Sequence, residues 1–155
     1  MIVVLDSGVL GYITHPNTDL QETRECGEWY LRLASQAHIF CIPEIIDYES
    51  RRKFLHINSR ISIDHLNALK ETLEYLPITT SVMLHAAKLW SDARIAHYRT
   101  ASPDALDVDV ILAAQAMAYS REINKHVVVA TTDVGDLSRL GLDARNWKDI
   151  PSRRQ

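Results

Sequence analysis

The chain opens with Met1-Ile2-Val3-Val4-Leu5-Asp6-Ser7-Gly8, and this stretch decides the fold class. Ile2 to Leu5 is an apolar run of strand length, and Asp6-Ser7-Gly8 ends it with polar and flexible residues. A carboxylate therefore stands at the carboxyl end of a buried strand, the edge at which open α/β sheets bind ligands. Removing a carboxylate from water without a partner is costly. No lysine or arginine occurs before Arg24, so the neighbouring sequence supplies no counter-charge. Later acids joining Asp6 around a divalent cation is the working expectation; the alternative is that Asp6 caps the helix that follows.

Working outward, strands and helices alternate. Val9 to Ile13 reads as a short helical or irregular turn, and Asp19 to Gln36 as a helix. His38 to Ile42 is a strand closed by Pro43, and a helix runs from Pro43 to about Ile57. Another helix runs from Ser62 or Ile63 to about Tyr75, with Leu66, Leu69 and Leu73 at helical spacing. Leu76-Pro77-Ile78 reads as a brief strand. Thr79 or Thr80 caps a helix to about Tyr98. Ser102-Pro103 has the N-cap and first-turn proline pattern, opening a helix to about Glu122. Val127-Val128-Val129 marks the next strand, and Leu142 to Trp147 a last edge strand. Pro151 to Gln155 reads as a frayed tail. This order predicts one α/β domain over residues 1–150 around a mainly parallel sheet, followed by a flexible tail over 151–155.

The bulk properties agree. With 155 residues, 46% hydrophobic and 24% charged, the chain is sized and composed for one globular domain. Its apolar runs fall short of the roughly 18 residues a membrane span needs, and no signal peptide is expected, since Met1 leads directly into the strand. The two cysteines, Cys26 and Cys41, make no CxxC pair and read as reduced, which places the chain in the cytoplasm. The net charge of −3 argues against a broad polyanion-binding surface. A cluster of acids offset by bound metal would lower the formal charge without repelling phosphate.

Acids meet apolar structure in four places. Asp6 is the first. The second is Glu44-Ile45-Ile46-Asp47-Tyr48-Glu49, where helix geometry puts Glu49 on the face of Ile45 and Ile46. Asp47 aligns with Glu44 and Arg51 in a stripe that reads as solvated. Glu49 is the candidate ligand; a surface pair with Arg52 or Lys53 is the alternative. The third is Asp107-Val108-Asp109, leading into a helix in which only Gln115 is polar from Val110 to Ala118. Asp107 and Asp109 point about 160° apart. Asp109 shares the face of Leu112, Ala113 and Ala116 and is favoured, with Asp107 as second choice; Asp104 complements the helix dipole. The fourth is Thr131-Thr132-Asp133-Val134-Gly135-Asp136, where Asp133 leaves a buried strand as Asp6 does, and Asp136 is either a ligand or a cap.

Several carboxylates converging without a cation would repel one another and raise their pKa values. Oxygen-only ligands favour Mg²⁺ or Mn²⁺ over Zn²⁺. The seven histidines form no HExxH pair and read as surface or packing residues. No P-loop, GxGxxG or GxSxG motif is present.

Val3-Val4-Leu5-Asp6-Ser7, Ile42-Pro43 with Glu49, Asp109-Val110-Ile111-Leu112-Ala113-Ala114 and Ala130-Thr131-Thr132-Asp133, in that order, resemble the PIN-domain family. The resemblance spans nearly the whole chain and implies a PIN-like three-layer α/β/α fold with a doubly wound parallel sheet. It also implies Mg²⁺- or Mn²⁺-dependent ribonuclease activity on RNA. Many small single-domain members are VapC-type toxins, held inactive by an antitoxin and often dimeric, so a cognate antitoxin and a homodimer are implied as partners, with no membrane. By motif position Asp6, Glu49 and Asp109 match the family's first three acids; the fourth is Asp133, with Asp136 supplying or sharing the role. Two features depart from the family: the negative net charge, and Leu137 where many relatives carry an aromatic residue. The rivals are a catalytically inactive PIN-like module that binds RNA or protein, and a phosphatase of the haloacid-dehalogenase kind. The latter needs a second Asp where Gly8 stands.

Overall fold

The computed structural model describes residues 1–96 and 103–151. In chain order the elements are β1 (Ile2–Leu5), α1 (Ser7–Thr14), α2 (Gln21–Ala34), β2 (Ile39–Pro43), α3 (Glu44–His56), α4 (Arg60–Thr72) and β3 (Glu74–Leu76). They continue with α5 (Thr80–Ile95), α6 (Pro103–Glu122), β4 (Val127–Thr131), α7 (Val134–Arg139), β5 (Ala144–Asn146) and a closing 3₁₀ turn, Trp147–Asp149. The expected end of the long helix near Tyr98, the Ser102 cap, the Asp104 side chain and the tail beyond Pro151 lie outside the described residues.

The five strands form one sheet in the order β3-β2-β1-β4-β5, and every pairing is parallel. Parallel strands with helices on both faces bury both sides of the sheet. Accordingly β1 and β4 are buried at every position. The chain moves outward from β1 through β2 to β3, then returns to the other side of β1 for β4. The strand order thus reverses between β1 and β4, whose register runs from Ile2 opposite Val127 to Leu5 opposite Ala130. In doubly wound sheets the crevice beyond the carboxyl ends at such a reversal is the ligand site. Helices α1 to α4 pack among themselves, while α5 packs on α6 and α6 on α7.

Local chemistry explains most boundaries. The Thr79 hydroxyl accepts from the Val82 N–H at 3.2 Å and starts α5. Gln115, buried inside α6, donates to the Leu76 carbonyl at 2.6 Å and accepts from the Ile45 N–H at 3.3 Å. One buried amide therefore fastens the end of β3 and the start of α3 to α6.

Two expectations are corrected. Helix α4 stops at Thr72, and the strand lies at Glu74–Leu76, not at 76–78. Tyr75 pairs with Ile42 in the sheet, whereas Pro77 has no N–H to offer. The Asp47 stripe of α3 is not solvated. Lys70 of α4 and Tyr75 of β3 close over it, leaving the Asp47 side chain 5% exposed.

Candidate active site

Asp6 directly follows β1, and its own N–H donates to the Ala130 carbonyl at 3.0 Å, which ties the two strand ends together. One carboxylate oxygen accepts from the Ser7 N–H at 2.7 Å, capping α1. The other accepts from the Thr131 hydroxyl at 2.6 Å. The capping alternative posed by the sequence holds, and the same carboxylate stands at the switch-point crevice. Burial pushes its pKa up and Glu49 adds to that, against the Thr131 and Ser7 hydrogen bonds and Lys53, which pull it down. Gly8 is required by close approach. A Cβ there would stand 2.5 Å from the Thr132 hydroxyl oxygen, so a side chain at position 8 would force the Thr132 side chain to shift.

Asp109 is half-buried on α6. Its pKa is driven from 3.8 to about 7, first by burial and then by the charges of Asp6, Asp136, Glu49 and Asp133. That set is the five acids singled out in the sequence. The fold draws them from β1, α3, α6 and the β4–α7 region into one mutual field. Asp107 is exposed and lies instead along a groove of about 420 Å³ between α5 and α6, with Met83, Ala86 and Trp90.

The other acids are held differently. Glu49 accepts from the Lys53 ammonium at 3.0 Å, with side-chain exposures of 17% and 58% for the acid and the lysine. The surface pair weighed as an alternative therefore forms, while Glu49 still bears on Asp6 and Asp109. Asp133 is exposed at the N-cap of α7 and makes no side-chain capping bond; its N–H donates to the Thr131 hydroxyl oxygen at 2.9 Å. Asp136 pairs with Arg139 at 3.1 Å.

Thr131 links two of the candidate acids, a role beyond a cap or a contact of bound water. Fully buried, it positions both Asp6 and the Asp133 backbone. Its place at the end of the strand beside β1 was the available signal. Three histidines are engaged elsewhere: His65 with the Thr14 carbonyl, His126 with Asp143, and His15 at Asn17.

The donors at the crevice are carboxylates and one hydroxyl, a hard-oxygen set that suits Mg²⁺ or Mn²⁺ by its chemistry. Among the described residues no three Asp, Glu, His or Cys side chains form a group already closed for a metal ion. The cluster is open, with Glu49 turned to Lys53.

No family model matches the sequence, and no curated protein matches it. Solved structures do. VapBC2 from Rickettsia felis, bound to a DNA fragment from its promoter, superposes with a TM-score of 0.68 at 17% identity, covering 95% of this chain and 99% of the other. VapBC-1 from nontypeable Haemophilus influenzae gives 0.66 at 18% identity, over 96% and 100% of the two chains. DNA-bound VapBC from Salmonella typhimurium gives 0.62 at 17%, over 95% and 98%. At such identities the likeness is one of fold. The chain therefore has a PIN-like α/β fold, shared along nearly its whole length with chains of VapBC complexes.

Proposed function

We propose that the chain is a metal-dependent endoribonuclease, the VapC-type toxin of a toxin–antitoxin pair, acting on RNA in the cytoplasm. The carrying observation is the convergence of Asp6, Glu49, Asp109, Asp133 and Asp136 at the switch point, where burial first and the four neighbouring acids second raise the Asp109 pKa to about 7. Such crowding is unfavourable unless a cation relieves it. The partner in this reading is a cognate antitoxin, as the names of the similar complexes suggest. Among the described residues no helix is long and apolar enough to cross a membrane.

In this reading Asp6, Glu49, Asp109 and Asp133 would hold Mg²⁺ or Mn²⁺, with Asp136 supplying or sharing the fourth role. A bound ion supplies Lewis-acid polarisation of the phosphodiester and a lowered pKa for bound water. The protein supplies orientation. Thr131 and Ser7 fix both oxygens of Asp6, so its carboxylate does not reorganise on loading. Asp133, without a capping bond of its own, would orient the attacking water in this reading. Asp109, whose pKa burial and the neighbouring acids raise to about 7, would be the acid most eased by a bound cation.

The test is cleavage of RNA by purified protein with Mn²⁺, with and without chelator. Losing a residue that merely supports a metal ligand costs about 10–100-fold, and Asp6→Asn or Asp109→Asn is expected to cost more than about 100-fold. Asn still caps a helix, so Asp6→Asn keeps the fold, which circular dichroism checks. Unchanged turnover in Asp6→Asn removes that residue from the site.

The Glu49–Lys53 pair favours one second reading, a PIN-like module that binds RNA or protein without catalysis. Calorimetry with Mn²⁺ on the wild type and Asp109→Asn separates the two. Heat that disappears in the variant supports the nuclease; no heat together with no cleavage supports the module.

A further inference from the structure

Helix α3 carries three acids, and all of them turn inward. Glu44 accepts from the Ile78 N–H at 2.5 Å, Asp47 is enclosed by Arg51 and Lys70, and Glu49 faces the acid cluster beside Lys53. The outward surface is left with Tyr48, Arg52 and His56, continued by Arg60 at the start of α4, all exposed. On a chain of net charge −3 this strip is locally positive. Tyr48 is 56% exposed, and the Arg52 guanidinium lies 5.2 Å from its ring centroid. Arg52 has no carboxylate partner among the described residues.

We propose that this face of α3, centred on the stacked Tyr48 and Arg52, docks single-stranded RNA and leads it to the acid cluster on the neighbouring stripe of the same helix. The proposal rests on the nuclease reading and names the α3 residues that would position its substrate. Residues four apart share a stripe, and Tyr48–Arg52 is displaced by one residue, about 100° of rotation, from Glu49–Lys53. An exposed aromatic ring offers a base an unspecific stacking platform, and an unpaired guanidinium meets the phosphate. A duplex keeps its base faces stacked inside and presents none to Tyr48. The strip is short, which agrees with a chain that has no broad basic surface.

The experiment is fluorescence anisotropy of a labelled twelve-nucleotide oligouridylate in chelator, where binding is read without cleavage. The wild type binds this probe more tightly than a twelve-base-pair RNA duplex. Tyr48→Ala weakens binding about tenfold, within the range for loss of one stacked base. Arg52→Gln weakens it severalfold and lowers the salt dependence by close to one phosphate contact. Lys88→Gln, a charge change on α5 away from α3, leaves affinity unchanged. Wild-type affinity in both α3 variants, no binding by the wild type, or a preference for duplex overturns the proposal. Failure here is distinct from failure of the nuclease reading. If Mn²⁺-dependent cleavage persists while both variants bind as wild type, only the track falls, and the exposed Leu55, Ile57 and Ile61 beside it are left for a polypeptide partner. If binding follows the predicted order but no cleavage occurs, the track stands and catalysis is lost.

Discussion

Asp47 and Glu49 are two residues apart on α3 and enter opposite electrostatic settings. Asp47 is met by Arg51 at 2.7 Å, by Lys70 at 2.8 Å and by the Tyr75 hydroxyl at 3.2 Å. Burial alone would raise its pKa, but the hydrogen bonds and charges of Arg51 and Lys70 win and hold it below the usual carboxylate value. Glu49 looks the other way, toward Asp6 and Asp109, where burial and like charges raise the pKa of both. One flank of the helix is a neutralised brace between α3, α4 and β3. The other concentrates negative charge that the fold offsets only through two largely exposed cations, Lys53 and Arg139. Burial of an acid is common to both; what separates structure from candidate chemistry is whether the surrounding charges are opposite or alike.

The largest effect on stability is expected at the brace. Removing one partner of a buried ion pair costs about 3–5 kcal/mol. Arg51 and Lys70 keep side-chain exposures of 28% and 33%, so water takes up part of their charge, and Asp47→Asn should cost about 2–3 kcal/mol. Urea unfolding reads this as a lower midpoint at constant slope. The sign in pH follows from the lowered value: the contribution is present above the ordinary Asp pKa and disappears as pH falls through the depressed one. A loss below about 0.5 kcal/mol would place Asp47 among ordinary surface acids and remove the contrast.

Asp109 should respond in the opposite direction. Its folded-state pKa is raised, so the native protein holds the proton more tightly than the unfolded chain. Stability then falls as pH rises from 3.8 to about 7. A displacement of that size is worth at most about 4 kcal/mol; solvent screening of a half-buried group reduces it, to about 2 kcal/mol. Asp109→Asn is therefore expected to be more stable than the wild type at pH 8 and to flatten the profile between pH 4 and 7. Mn²⁺ should raise the melting temperature of the wild type at pH 8 and leave the variant nearly unmoved. A destabilised Asp109→Asn would mean that the acids are relieved within the protein, as Asp47 is.

The two flanks were not equally legible in the sequence. Asp6, Glu49, Asp109 and Asp133 could be read because each joins a carboxylate to a pattern with a fixed geometry: a strand end, or one face of a helix at the residue-per-turn period. The parallel sheet was legible for the same reason, from apolar runs such as Val127-Val128-Val129. The Asp47 brace was misread because periodicity describes one helix at a time. Nothing in the spacing of Glu44, Asp47 and Arg51 reports that Lys70 and Tyr75 will fold over them from the next helix and strand. Thr131 escaped full recognition on similar grounds, since its bond to Asp6 spans 125 positions. The β3 boundary was missed because Leu73 continues a helical spacing that pairing with β2 overrides.

Lys53 gives the smallest and most discriminating prediction, because it is the cation on the acidic flank that corresponds to Arg51 on the braced one. Both sit four residues after an acid on the same helix. The Lys53 side chain, however, is 58% exposed, and an exposed pair of this kind contributes about 0–1 kcal/mol. Lys53→Gln should therefore lower stability by no more than about 0.5 kcal/mol in chelator. If Lys53 occupies Glu49 in place of a divalent ion, its removal eliminates a competitor. Two unit charges about 4–6 Å apart in water interact by about 1 kcal/mol, so Mn²⁺ binding measured by calorimetry should tighten about three- to fivefold. Lys88→Gln, which breaks an equally spaced pair with Asp92 on α5, should change neither quantity. A loss of stability as large as that of Asp47→Asn, with Mn²⁺ affinity unchanged, would make Lys53 a second brace. The acidic flank would then be self-neutralised, and the difference between the two sides of α3 would no longer point to a bound cation.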